Sequence, residues 1–309
     1  MRLGIDIGGT KVLGGLIDEN GQVLDRFRLS SKGYDTPQAL AEAIAESIAA
    51  LLQRHHITLD SIVHIGAGIP GTADSLTGQV VYSPNLFGSS VPLGDVLEQA
   101  IGKRPAIVQD SWAAAYAEYR WGQKQAYDSM CCITLGTGIG CGVIQHGKVF
   151  SGMLHTAGEI GHVSIDMNGP LCSCGRRGCL ERYASGTGIY RQAQERFPEK
   201  LVNRHPGAEA VFDLAYAGDE DALALIRDCV DKLAFGLGTL VNILGCSNIF
   251  ISGGLSVHEE LMIRPLSEAI ARYGYPAWSH RIKPLVQKAA LGEDAPMIGA
   301  AFLTGDLII

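Results

Sequence analysis

The chain has 309 residues, 25 basic against 32 acidic side chains and a formal net charge of -7. That length leans towards two domains, each able to bury a core, and 47% hydrophobic with 18% charged residues excludes a disordered or fibrous chain. The acidic balance speaks against sequence-independent nucleic-acid binding, which Lys and Arg drive, so any phosphate ligand has to be held by local geometry.

The chain opens on Met1-Arg-Leu-Gly-Ile-Asp6, strand-like from the start, with no basic segment, apolar run or cleavage site before it. The expectation is a mature chain that begins here, soluble and cytoplasmic, with no apolar run of the ~18 residues that suggest a membrane span. Leu3 to Phe27 is predicted as three antiparallel strands. Two turns divide them: Gly8-Gly9-Thr10, then Asp18-Glu-Asn-Gly21 with its Asn-Gly hairpin signal. Thr36 before Pro37 is a cap signal, and Leu40, Ile44, Ile48, Leu51 and Leu52 follow helical spacing. Ser61 to Gly68 and Ala106 to Val108 read as buried strands, and Ser111 to Trp121 as a helix.

From Cys132 the opening plan returns: strand Ile133 to Leu135, turn Gly136-Thr137-Gly138, strand Ile139 to Ile144, turn Gln145-His-Gly147, then Lys148 to Phe150. The chain therefore reads as two equivalent halves. Further elements are helices from about Gly188, across Asp219 to Leu244, after Ser256 and over Pro296 to Leu303, with a strand at Asn248 to Ser252. Strands interleaved with helices and opened by a meander predict a mixed sheet in each half, with a ligand cleft between the two.

Three glycine turns are candidates for close approach to a ligand. Asp6-Ile-Gly8-Gly9-Thr10-Lys11 puts an acid at a strand end before two glycines whose amides can reach a phosphate; a plain hairpin turn with Asp6 as its hydrogen-bonder reads equally well in isolation. Gly136-Thr137-Gly138 stands at the equivalent point of the second half, so the two turns could hold a polyphosphate from both sides. Gly253-Gly254 follows a strand and leads into a helix, a setting for a ring or a phosphate. None fits the P-loop, and none gives the dinucleotide fingerprint in a strand-turn-helix context.

Cys172, Cys174 and Cys179 crowd into one glycine-containing loop, and His162 lies ten residues upstream of it. Three thiolates and an imidazole make a closed tetrahedral zinc set, structural because no position is left for water. Cys131, Cys132, Cys141, Cys229 and Cys246 lie in apolar stretches and read as core residues. Glu159 and Glu181 bracket the loop. With one nitrogen of His162 on the metal, the other is aimed in a fixed direction, and the two carboxylates can accept from adjacent hydroxyls, which is what a sugar offers. Asp110 ends an apolar strand and opens a helix, as a cap or as a general base for a hydroxyl.

Taken in order, Asp6-Ile-Gly-Gly-Thr-Lys11, Gly66-Ala-Gly-Ile-Pro-Gly71, Pro84-Asn-Leu86, Gln109-Asp110, Leu135-Gly-Thr-Gly-Ile-Gly140, Glu159-Ile-Gly-His162, the cysteine loop with Glu181, and Ser252-Gly-Gly254 resemble the ROK family of bacterial sugar kinases and repressors. The resemblance covers nearly the whole chain. It implies an α/β, actin-like ATPase (hexokinase-like) fold of two ribonuclease-H-type lobes around a cleft: a small lobe of residues 1–109 with the C-terminal helix 293–309, and a large lobe of residues 110–292 carrying the zinc loop and the dimer contact of a homodimer or homotetramer. ATP and Mg2+ are the implied cofactors beside structural Zn2+. Asp6, Gly8, Gly9, Thr10 and Lys11 match the first phosphate motif, Gly136, Thr137 and Gly138 the second, and Gly253 and Gly254 the adenosine motif.

Asn85, Gln109, Asp110, Glu159, His162 and Glu181 match the sugar positions, with Asp110 as the implied catalytic base. The implied reaction is phosphorylation of a hexose hydroxyl, the 6-hydroxyl of a glucose-like sugar. The segment from Gly66 to Leu93 looks most like the glucokinase branch, whereas Gly169-Pro170 and Ala184-Ser-Gly186 also occur in N-acetylmannosamine kinase-like members. N-acetylglucosamine, allose and fructose also stand as candidate substrates. The family usually reads Asn-Asp-Ala-Asn around the base, and here Gln109-Asp110-Ser111-Trp112 stands instead, which predicts an altered hydroxyl contact. A family repressor would carry a DNA-binding domain before the first motif, and only five residues precede Asp6 here. The competing functional class is a catalytically silent sugar-binding sensor.

Overall fold

A computed structural model of the protein describes residues 1–83, 86–275 and 285–309. The first three strands form as the turn chemistry predicts: β1 (Arg2–Ile7), β2 (Lys11–Ile17) and β3 (Val23–Ser30). They pair antiparallel, with Asp6 opposite Leu13 and Leu13 opposite Arg28. The Asp18 carboxylate accepts from the amides of Asn20 and Gln22 at 2.9 and 2.8 Å, and Gly21 takes φ 77°, the left-handed conformation that the Asn-Gly signal anticipates. Helix α1 (Pro37–Arg54) is capped by Thr36, whose hydroxyl accepts from Ala39 N. Leu40, Ile44, Ile48, Leu51 and Leu52 are all buried in the core on the sheet. Each such side chain contributes about 1.5–3 kcal/mol on leaving water.

Strands β4 (His64–Ile69) and β8 (Ala106–Gln109) complete a sheet of order β3-β2-β1-β4-β8. The strand expected from Ser61 starts only at His64, because Leu59–Ser61 winds into a 3-10 turn closed by the Ser61 hydroxyl on Thr58 O. Between β4 and β8 lie elements the sequence did not announce: a small sheet of β5 (Thr72–Asp74), β6 (Gln79–Ser83) and β7 (Gly88–Val91), then helix α2 (Leu93–Ile101). Helix α3 (Asp110–Ala117) passes into a π-turn over Glu118–Gly122 where an unbroken helix to Trp121 was expected.

The second meander supplies β9 (Met130–Leu135), β10 (Ile139–Gln145) and β11 (Lys148–Val149), and with β12 (Asn248–Ser252) and β13 (Leu285–Lys288) it gives a sheet of order β11-β10-β9-β12-β13. This repeats the order of the first sheet strand for strand, so the internal duplication read from the two glycine turns is a duplication of topology. The later helices are Gly186–Arg196, capped by Ser185; Ala208–Tyr216; Glu220–Leu244, capped by Asp219 and ended by Gly245 at φ 65°; and Arg264–Ala269.

The residues form two compact units, one of Met1–Asp128, Gly142–Ala157 and Glu293–Ile309, the other of Ser129–Cys141 and Gly158–Gly292. The first unit extends past residue 109 and keeps α3, because α3 and the C-terminal helix Ala295–Ala300 pack without intervening side chains: a Cβ at Gly299 would lie 1.8 Å from Ala113 O. No helix among the described residues is long and apolar enough to cross a membrane.

Candidate active site

In the first unit, three parallel strands bring the chemistry to one edge. Asp6 of β1 is in register with Gly68 of β4, and Gly68 with Val108 of β8. Two strand spacings thus separate Asp6 from the end of β8, about 10 Å, and Gln109 and Asp110 follow at once. The carboxyl ends of parallel strands are where open α/β sheets bind ligands. A Cβ at Gly68 would lie 3.4 Å from Asp110 Cα, in ordinary van der Waals contact, so β4 packs directly against the start of α3.

Asp110 is the first residue of α3, one place beyond the cap position, and its carboxylate accepts from Ser111 N at 2.6 Å. Gln109 is buried. Trp112, which stands where the family has a small amide, is a core residue, 1% exposed, with its indole N–H donating to Ala157 O at 2.9 Å. Asn85 lies outside the described residues.

The turn after Asp6 is closed by Gly8 N donating to Lys11 O at 2.9 Å, and Lys11 Nζ forms an ion pair with Glu293 at 2.6 Å. Burial pushes the Asp6 carboxyl up to about 6, the neighbouring Lys11 charge drawing it back and the Glu293 charge adding to the rise. The native state therefore favours the protonated acid. This contribution to stability is fully present below the unfolded value of 3.8 and is lost as pH rises through about 6, leaving a carboxylate that costs about 2–3 kcal/mol at neutral pH. Asp6→Asn is expected to raise the melting temperature of the unliganded protein at pH 7.5 and to give no gain near pH 3.5; thermal melts at the two pH values check both signs.

The second unit repeats the arrangement. Ser252 at the end of β12 is in register with Thr134 near the end of β9, which sets Gly253 against Leu135. A Cβ on Gly253 would lie 2.4 Å from Leu135 O, and the residue sits at φ 86°, so only glycine fits. Open space surrounds the Cβ direction of Gly254. In the turn between β9 and β10, Gly136 N donates to Gly138 O at 3.0 Å, Gly136 O accepts from Gly186 N at 2.8 Å, and Thr137 O accepts from the Thr187 hydroxyl at 2.7 Å.

Glu181 joins this turn as well: its Oε2 accepts from Ile139 N at 3.1 Å, and a Cβ on Gly138 would stand 2.4 Å from that oxygen. The sequence set Glu181 among hydroxyl acceptors; its hold on the second glycine turn was not visible there, because the pair is separated by 42 positions.

Glu181 begins a short helix two residues after Cys179, and so links the turn to the cysteine loop. The candidate ligand atoms of His162, Cys172, Cys174 and Cys179 all lie within 4.8 Å of one another. Cys172 Sγ is 3.6 Å from His162 Nδ1, and Cys174 Sγ is 3.6 Å from Cys179 Sγ. With Zn–S near 2.3 Å, a tetrahedron has edges of about 3.8 Å, whereas a disulfide needs about 2.05 Å. The donors are thus spaced for an ion and too far apart for a bond.

The loop wraps through Gly175 and Gly178, both at positive φ; a Cβ on Gly178 would lie 1.6 Å from Asp166 O. His162 turns Nδ1 to the sulfurs and keeps Nε2 for another partner. It ends a 3-10 turn begun at Glu159, whose carbonyl accepts from His162 N at 3.0 Å, so Glu159 and His162 are held three residues apart on one turn. Of the other cysteines, Cys131, Cys132, Cys141 and Cys229 are buried as expected, and Cys246 is partly exposed.

The family model described as "ROK family" matches residues 2–306. A glucokinase of Thermotoga maritima is 33% identical over 316 residues, covering 99% of this chain and 98% of that protein. An N-acetylmannosamine kinase of Shigella boydii is 35% identical over 260 residues, covering 83% of this chain and 84% of that protein. Among solved structures, the ROK family glucokinase of Streptomyces griseus in complex with glucose and AMPPNP superposes with a TM-score of 0.83 at 31% identity, covering 97% of each chain. The fold is the expected actin-like, hexokinase-like α/β class.

Proposed function

This chain belongs to the ROK family and is an ATP-dependent sugar kinase, and from that premise we propose that it transfers the γ-phosphoryl group of ATP to the 6-hydroxyl of a glucose-like hexose. The observation that carries the reading is the register that sets Asp6 and Gln109-Asp110 at the carboxyl ends of β1, β4 and β8, with the same plan repeated around Gly136–Gly138 and Gly253-Gly254. Glucose is placed first because the Gly66 to Leu93 segment looks most like the glucokinase branch; N-acetylmannosamine stands beside it, since a kinase for that sugar from Citrobacter koseri is 32% identical over 97% of this chain, against 33% over 99% for the glucokinase.

In the proposed reaction Asp110 accepts the proton of the 6-hydroxyl while that oxygen forms its bond to the γ-phosphorus. The bond from phosphorus to the bridging oxygen of ADP breaks, and its electron pair leaves with ADP. General-base help of this kind contributes about 10²–10⁴-fold, and alignment of the two substrates supplies much of the rest. Gly8, Gly9, Thr10 and Lys11 bind phosphate, as do Gly136, Thr137 and Gly138, and Gly253 and Gly254 bind the adenosine. Asn85, Gln109, Glu159, His162 and Glu181 bind sugar hydroxyls.

Asp6 is a fit holder for Mg2+, because a carboxyl pushed up by burial is returned to its charged form by a cation beside it. When bound, Mg2+ neutralises charge on the phosphates. Structural Zn2+ fits His162, Cys172, Cys174 and Cys179, where it clamps the loop and fixes the ring that presents Nε2. The homodimer or homotetramer belongs to the same reading.

The test is ADP release with ATP and Mg2+ against glucose, mannose, fructose, allose, N-acetylglucosamine and N-acetylmannosamine. The highest kcat/KM is expected with glucose. A tenfold preference for N-acetylmannosamine would replace the glucose assignment, and silence across the panel in folded protein would favour a sugar sensor without turnover.

A further inference from the structure

Lys11 opens β2 directly after the first glycine turn, and its ammonium is already engaged. Nζ stands 2.6 Å from Glu293 Oε2, a contact across 282 positions of the chain. Glu293 is delivered there by rigid packing. The C-terminal helix that follows it lies backbone against backbone on β1 and β4: a Cβ on Gly4 would fall 1.9 Å from Met297 O, and one on Gly66 would fall 1.8 Å from Ala300 O. The neighbouring Asp294 is fixed as well, its carboxylate accepting from Arg26 at 3.0 Å. Glu293 is therefore held at the phosphate turn, and it brings a negative charge to the place where a polyphosphate is to be bound.

The pair is wet, with side-chain exposures of 33% for Lys11 and 58% for Glu293. Exposed pairs of this kind are worth at most about a fivefold shift in an equilibrium. A phosphate chain carrying several charges competes well against one carboxylate for a single ammonium. We propose that Glu293 sets the affinity for the phosphoryl donor: it holds Lys11 while the site is free of nucleotide and gives the ammonium up to the phosphates when ATP binds. This inference rests on the reading of Gly8–Lys11 as a phosphate turn. Glu293 touches neither the sugar nor the transferred group in this scheme, so it acts on donor binding and leaves the transfer step alone.

Glu293→Gln keeps the size and the hydrogen-bond acceptor and removes the charge. It is expected to tighten Mg–ATP binding, measured by calorimetry at low ionic strength, by about two- to fivefold. The KM for ATP falls in step, kcat and the sugar KM hold, and the difference shrinks as salt is added. In a Lys11→Met background the same substitution is expected to lose most of its effect, since only the weaker direct repulsion between Glu293 and the phosphates remains. Glu293→Asp, which retains the charge, is expected to stay near wild type. Unchanged or weaker ATP binding in Glu293→Gln overturns the inference, as does a full-sized gain that persists without Lys11. Absence of ATP binding in the wild-type protein would instead overturn the phosphate-turn reading beneath it.

Discussion

Asp110→Asn is expected to lower kcat by about a hundred- to ten-thousandfold while leaving the fold and sugar binding in place. The size follows from the role: an amide has no lone pair basic enough to take the hydroxyl proton, yet it is nearly isosteric with the carboxylate. Retention of the fold follows from the local geometry. Asp110 sits at the first position of α3, and its oxygen accepts from Ser111 N at 2.6 Å, a bond that an Asn side-chain oxygen can also accept. The lost charge at the helix N-terminus costs about 0.3–1 kcal/mol, small beside the stability of a domain. Steady-state kinetics, glucose binding by calorimetry and a thermal melt on the same preparation separate the outcomes. Near-normal turnover in Asp110→Asn would remove the base assignment, and a collapse of the melt would make Asp110 structural.

What could be read from the sequence was whatever local chemistry encodes. Turns signalled by Gly-Gly-Thr, Asn-Gly and Gly-Thr-Gly are short-range, so the two meanders, and with them the equivalence of the two halves, were legible in the sequence, whereas the strand order of each sheet was not. The cysteine loop was visible for the same reason, three of its four candidate ligands lying within eight residues, Cys172 to Cys179. Strands β5, β6 and β7 were not, being three to five residues long and rich in Gly, Ser and Thr, with no sustained alternation of apolar and polar positions.

Long-range contacts were the other loss. That Gly4, Gly66 and Gly299 exist to let a terminal helix lie on the sheet and on α3 needs the carbonyls of Met297, Ala300 and Ala113 as neighbours. The same packing carries Glu293 to Lys11, so a charge at one end of the sequence bears on a motif at the other. Trp112 stands where the family has a small amide, and its indole is sealed in the core and bonded to Ala157 O, as its size and apolar area lead one to expect.

Removal of the metal is expected to have the second large effect. About one zinc per chain should be found by elemental analysis, and chelation should lower the melting temperature by roughly 8–16 °C, the equivalent of about 4 kcal/mol of lost binding energy in a unit of this size. Without an ion, the sulfurs of Cys172, Cys174 and Cys179 keep no common partner, and the wrap through Gly175 and Gly178 loses the tie that closes it.

The loss should reach the chemistry as well. His162 is fixed by its Nδ1 towards Cys172, and Glu181 follows two residues after Cys179 while gripping the turn at Ile139 N. Slackening the loop therefore disturbs a proposed sugar contact and a proposed phosphate turn together, and both substrate KM values should rise. Cys174→Ser, which removes one ligand without touching His162 or Glu181, is expected to reproduce the chelated protein, and added zinc should rescue the chelated wild type but not the variant. Metal-free protein with unaltered melting and turnover would exclude a structural zinc. Protein stable only under oxidising conditions would point to a Cys174–Cys179 bond formed by closing the 3.6 Å gap between those sulfurs.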